Sequence, residues 1–95
     1  MSHRKESPRI YGVSYDPESD AAYIYLQPRE TKAHVTNEID HGINADFDKD
    51  GAIVGLEILW VRDQVQRYLK LPKPKEPNVL DAFGSKIRRV YPAPE

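Results

Sequence analysis

Asp46-Phe47-Asp48-Lys49-Asp50-Gly51-Ala52-Ile53-Val54-Gly55-Leu56-Glu57 decides how the rest of the chain is read. Carboxylates at the first, third and fifth positions, glycine at the sixth and glutamate at the twelfth satisfy the pattern of an EF-hand calcium loop. A genuine loop of that kind joins two helices, and the entering helix aims the first ligands. Here the approach through residues 38–44 contains the glycine turn His41-Gly42 and a strand-like alternation. Position nine is Val54, and Glu57 lies inside the most β-like run of the chain. Asp50-Gly51 is also a strong short-range hairpin signal. The stretch therefore reads as two strands and a turn, with Asp46 and Asp48 on the solvent side of the first. A metal reading would use Asp46, Asp48, Asp50 and Glu57 as ligands; the hairpin needs no cofactor.

Upstream, residues 10–15 are rich in β-formers and end at Asp16-Pro17-Glu18-Ser19-Asp20, a type I turn signal. Ala22, Ile24 and Leu26 then alternate with Tyr23 and Tyr25, and Pro28 ends that strand. Ala33, Val35 and Ile39 alternate with His34, Thr36 and Glu38, and Ile43, Ala45 and Phe47 with Asn44, Asp46 and Asp48. In residues 52–60, Val54, Leu56, Ile58 and Trp60 share one face and Ile53, Gly55, Glu57 and Leu59 the other. A strand apolar on both parities is central or covered on both sides. Beyond Trp60 the period changes: Val61, Val65, Tyr68 and Leu69 predict an amphipathic helix over residues 61–71.

That helix is stopped by Leu71-Pro72-Lys73-Pro74-Lys75-Glu76-Pro77, a polyproline-like spacer. Asn78 can then cap a short turn carrying Val79, Leu80 and Phe83, with Gly84 as its stop. The expected organisation is a flexible arm over 1–9, one α+β domain over 10–71, and a Pro-rich linker with a short docking segment over 72–95. The fold class is a small antiparallel β-meander of four to five strands, then a C-terminal helix and a Pro-rich extension.

Ninety-five residues make a core that is marginal without a further stabiliser, and the absence of cysteine excludes disulfides and thiolate sites. A homodimer is the simplest supplement. The polar N-terminus and the lack of a long apolar run predict a cytoplasmic protein with no membrane partner. Residues 1–60 hold six Lys/Arg against eleven Asp/Glu, a balance of −5, and residues 61–95 hold eight against four, a balance of +4. An acidic body with a basic extension follows.

Two blocks carry a family resemblance. Tyr15-Asp16-Pro17-Glu18-Ser19-Asp20-Ala21-Ala22-Tyr23-Ile24-Tyr25-Leu26 resembles the opening signature of the small bacterial proteins catalogued as domain of unknown function 2283. Ile43-Asn44-Ala45-Asp46-Phe47-Asp48-Lys49-Asp50-Gly51 and Val54-Gly55-Leu56-Glu57-Ile58-Leu59 resemble that family's hairpin. The resemblance covers about residues 10–60. It implies a compact antiparallel sheet, often followed by a helix, and brings no catalytic residues. It also suggests an antitoxin-like partner of a neighbouring gene product.

The remaining candidates divide by chemistry. Asp16, Glu18 and Asp20 suit a metal or an acid–base pair, and equally a turn whose carboxylates cap backbone amides. His34 and His41 need not converge. Tyr11, Tyr15, Tyr23 and Tyr25 could stack bases, or pack under a helix or second subunit. Lys86, Arg88 and Arg89, with Lys73 and Lys75, could hold a nucleic-acid backbone, although the acidic body argues against that partner. Val79, Leu80 and Phe83 suit docking, on the chain's own sheet or on a protein partner. No nucleophile elbow or phosphate loop is present, so no residue is assigned a catalytic role. The expected function is a non-enzymatic interaction module. Its rivals are a metal-binding protein or metal-dependent hydrolase using the Asp/Glu clusters, and a nucleic-acid binder using the basic tail and sheet tyrosines.

Overall fold

The computed structural model describes residues 9–91. Five strands, β1 (Gly12–Asp16), β2 (Ala21–Tyr25), β3 (Val35–Asp40), β4 (Ile43–Phe47) and β5 (Ile53–Ile58), form one antiparallel sheet. Helices α1 (Val61–Leu69), α2 (Val79–Phe83) and α3 (Ile87–Val90) follow. The α+β class and the antiparallel strands are those the alternation predicts. The spatial order is β1-β2-β5-β4-β3. The β1–β2 hairpin and the β3–β4–β5 meander are thus joined through β2 and β5, which puts the strand apolar on both parities at the centre of the sheet.

One sheet face carries Ala22, Ile24, Ile43, Ala45, Leu56 and Ile58, all buried, and the helices cover that face with Val61, Val65, Val79, Phe83 and Ile87. Strict alternation assigns Ile53 to the opposite face, but a bulge overrides it. Asp46 pairs with Gly55 while Phe47 pairs with Ile53, so Val54 is the extra residue. Ile53 thereby joins Leu56 and Ile58 in the core, and Val54 is buried outside that cluster. Val35, which alternation turns toward the core, is exposed because β3 is the edge strand, beyond the layer of helices.

Trp60 is a second correction. Alternation puts it on the buried face of the last strand, yet it is 48% exposed. The strand stops at Ile58, and Trp60 adopts a left-handed φ of 52° as the chain turns into α1. That helix also ends earlier than residue 71, because Lys70 is left-handed with φ 58°. Its buried face is Val61, Gln64 and Val65; Tyr68 and Leu69, which helical spacing adds to that face, are exposed.

The start of α1 is held from across the sequence. Its own preceding side chain, Trp60, makes no capping hydrogen bond. Instead Asp20, in the β1–β2 turn, accepts through its carbonyl from the Val61 N–H at 3.0 Å. Its carboxylate accepts from the Arg62 N–H at 3.2 and 3.3 Å and pairs with the Arg62 Nε at 3.2 Å. The Tyr15 hydroxyl donates to the same carboxylate at 2.7 Å. A capping carboxylate of this kind contributes about 1 kcal/mol, and it also complements the positive end of the helix.

Residues 70–78 hold no helix or strand. Asn78 then caps α2 as expected, accepting from the Asp81 N–H at 3.2 Å. Gly84 does not stop the chain: its φ is −58°, and a single 3-10 turn leads straight into α3. The arm predicted over 1–9, apart from Arg9, and the end at 92–95 lie outside the described residues.

Candidate functional site

The calcium-like stretch is a hairpin in which Asp46, Asp48 and Glu57 each engage different neighbours. Asp48 closes it: its N–H donates to the Ala52 carbonyl at 2.8 Å, and its carbonyl accepts from Gly51 at 3.0 Å. Gly51 has φ 84°, the left-handed residue that a three-residue hairpin loop needs. The Asp48 carboxylate accepts from the Asp50 and Ala52 N–H groups and from the Gln27 side chain. The Gln27 bond is the main reason its pKa lies below the ordinary carboxylate range, with the Ala52 amide next. Asp50 is exposed at the tip. Glu57, mid-strand, accepts from Asn44 at 3.1 Å.

Among the described residues no group of three or more His, Asp or Glu is arranged to hold a metal ion. The second acidic cluster is likewise divided. Asp16 accepts from the Glu18 N–H and the Ser19 hydroxyl within its turn, and Asp20 faces the helix start. His34 is exposed near the hairpin, and His41 stacks against Trp60 with ring centroids 5.4 Å apart.

On the sheet face turned away from the helices, register places Tyr23 beside Glu57 and Tyr25 beside Gly55. The Tyr23 and Tyr25 rings lie 4.6 Å apart, and Arg29 covers Tyr25 at 4.5 Å. The Tyr23 hydroxyl donates to Asp46 at 2.7 Å, and Thr36 donates to the other oxygen of that carboxylate at 2.5 Å. These tyrosines are engaged by neighbours in the sheet and, through Arg29, in the loop after β2. Tyr11 and Tyr15 do not join them: Tyr11 is exposed under Arg9, and Tyr15 packs against the core on the opposite face.

Burial, and next the bond to Asp46, raise the Tyr23 phenol above its ordinary 10.0. The folded protein therefore holds this proton more tightly than the unfolded chain does. The stabilisation is complete below pH of about 10 and is lost as pH rises above that value. Thermal melts should show a midpoint that falls above pH of about 10, and Tyr23→Phe should flatten that fall at a cost of about 1 kcal/mol near neutrality. An unchanged alkaline slope in the variant would rule out this role for Tyr23.

The basic tail is partly spent on the body. Lys86 Nζ lies 2.8 Å and an Arg89 guanidinium nitrogen 3.1 Å from the same Asp40 oxygen, and Arg89 also donates to the Ile39 carbonyl. Arg88 is exposed. Val79 and Phe83 are buried in the chain's own core, and only Leu80 of that trio is exposed.

What remains is the grooved surface bordering α1. His41, Trp60, Asp63, Gln64, Arg67 and Tyr68 line a groove of about 220 Å³. A second, of about 370 Å³, continues past Tyr68 and Leu69 to Phe83 and Lys86. Its floor is built by Gln64, which donates to the Leu59 carbonyl at 2.7 Å and to the Gly42 carbonyl at 3.4 Å. Gly42 has φ 73°, and a Cβ there would meet Gln64 at 2.8 Å and Trp60 at 3.0 Å. The His41-Gly42 turn can therefore tuck beneath Trp60 only as glycine. Periodicity assigns Trp60, Tyr68 and Leu69 to the core, so this surface escapes the sequence. The one available signal is the change of period at Trp60, which marks a turn rather than a further strand position.

Fold and surface together define a small α+β protein with one five-stranded antiparallel sheet and helices on a single face. The profile of the family described as "Protein of unknown function (DUF2283)" matches residues 13–62, more than half of the chain, and the chain belongs to that family. The match runs from β1 to the first turn of α1. Comparison with curated proteins and with solved structures finds no match. No helix among the described residues is long and apolar enough to cross a membrane.

Proposed function

We propose that the chain is a non-enzymatic protein-interaction module whose contact surface is the grooved face bordering α1. The observation that carries this reading is that Trp60 and Tyr68, 48% and 52% exposed, line one groove, and Tyr68 and Leu69, the latter 43% exposed, line the adjoining one. Single exposed apolar residues are ordinary; a contiguous set beside a groove marks a contact site. Trp and Tyr are also the residues that most often anchor interfaces. The metal-dependent alternative draws no comparable support, because Asp46, Asp48 and Glu57 are each engaged by different neighbours. The nucleic-acid alternative loses Lys86 and Arg89 to Asp40. The finer form, an antitoxin-like partner of a neighbouring gene product, rests on the family resemblance.

Site-specific photo-crosslinking in the native host tests the surface. A benzophenone side chain at Tyr68 should give discrete protein adducts, whether to another chain or to a second copy. The same group at Tyr25, on the open sheet face, should give few. Adducts at Tyr25 with none at Tyr68 would overturn the assignment.

A further inference from the structure

We infer that the α1 side is filled by the α1 side of a second copy, the two helices running antiparallel about a two-fold axis. This rests on the reading of that side as the contact surface and names its occupant. The charges of the helix are self-complementary. Asp63 and Arg67 lie two residues to either side of Val65 and line the same groove. At 1.5 Å per residue they stand about 6 Å apart along the axis. Turning a second helix end over end about an axis level with Val65, on the Asp63–Arg67 side of the helix, sets Asp63 against Arg67 of the partner subunit and Arg67 against Asp63 of the partner subunit. A two-fold axis repeats each contact, so one oppositely charged pair in the chain becomes two across the interface.

The apolar groups obey the same symmetry. Trp60 precedes the helix and Tyr68 lies in its last turn, both lining the groove with Asp63 and Arg67, so reversal brings Trp60 of the partner subunit over Tyr68. Each exposed apolar end then covers the other. Antiparallel pairing also sets the positive end of one helix beside the negative end of its neighbour. Within the chain, Lys73 meets Asp63 at 2.6 Å, with both side chains largely exposed. The second cation therefore joins a carboxylate still open to solvent. The patch is small, which predicts a weak dimer with a dissociation constant on the order of 10 µM.

Sedimentation velocity of the full chain across roughly 1 to 500 µM tests this. The wild-type chain should pass from monomer to dimer. Asp63→Lys and Arg67→Glu should each weaken association about tenfold or more, since each places like charges together twice. An equimolar mixture of the two variants should recover the dimer. The lysine introduced in one chain then faces the glutamate introduced in the other, and the native Arg67 of the first faces the native Asp63 of the second. Trp60, the single tryptophan, supplies a second readout. Its emission should shift to the blue with concentration in the wild-type chain and not in Asp63→Lys.

A wild-type chain that stays monomeric throughout would overturn the inference. So would variants that dimerise like the wild type, or a mixture that fails to recover. Adducts from Tyr68 to a different protein, with a monomeric chain, would leave the contact surface standing and remove only the second copy. Loss of Tyr68 adducts altogether would remove the surface itself.

Discussion

A chain ended at Leu71 should lose its cooperative thermal transition and bind a hydrophobic dye at room temperature. The deletion removes Val79, Phe83 and Ile87, only 4%, 4% and 3% exposed, from the same cluster as Ile24, Leu56 and Ile58. Full burial of each such side chain stabilises by about 1.5–3 kcal/mol, so the three contribute roughly 5–9 kcal/mol as an upper bound. Total stability for a domain of this size is about 5–15 kcal/mol. The segment also spans the sheet: α2 touches β1, while Lys86 and Arg89 fasten the far end to Asp40 of β3. Far-ultraviolet circular dichroism and a melt on the truncated chain check the outcome. A body that melts within a few degrees of the full chain would show that residues 72–95 are dispensable to the fold.

The second large effect is Gly55→Ala. Gly55 lies in the central strand β5, and a Cβ there would collide with the Tyr23 ring and stand 2.6 Å from the Ile24 carbonyl oxygen. A ring can swing away; a backbone carbonyl in a paired strand cannot. The expected loss is about 2–4 kcal/mol, and at about 4–8 °C per kcal/mol for a domain of this size the midpoint should fall by about 8–32 °C. Gly84→Ala is the control. Its φ is −58° and nothing lies within 4 Å of the added methyl, so that variant should be neutral or gain about 0.4–1 kcal/mol. A Gly55→Ala midpoint within about 3 °C of wild type would show that β5 tolerates the side chain and that Tyr23 covers the strand for another reason.

Both expectations turn on residues whose local signals point elsewhere. Gly55 reads as an ordinary strand glycine until β2 is set beside β5 and the Tyr23 ring is seen to occupy the space a side chain would take. Phe83 reads as part of a docking segment, for the chain's own sheet or for a partner, until α2 is laid on the sheet and its ring closes the core. Asp20 behaves in the same way: it is a turn residue, but its carboxylate caps a helix that begins 41 residues later. No window on the sequence contains both partners. The Asp46–Glu57 stretch is the opposite case. Its alternation and Asp50-Gly51 name a hairpin without outside help, because turn geometry and strand period are set by near neighbours.

Strand alternation, turn chemistry and the change of period after Trp60 are therefore enough to establish an antiparallel α+β fold and to read the calcium-like stretch as a hairpin. They are not enough to say which apolar groups are core. The bulge at Val54 turns Ile53 inward, and the left-handed turn at Trp60 leaves that ring outside. The close of α1 at Lys70 leaves Tyr68 and Leu69 exposed as well. Periodicity reports which side chains share a face while the backbone stays regular. Where it bulges or enters a left-handed turn, long-range packing decides which face looks inward, and the surface this protein leaves open is made at those irregular points.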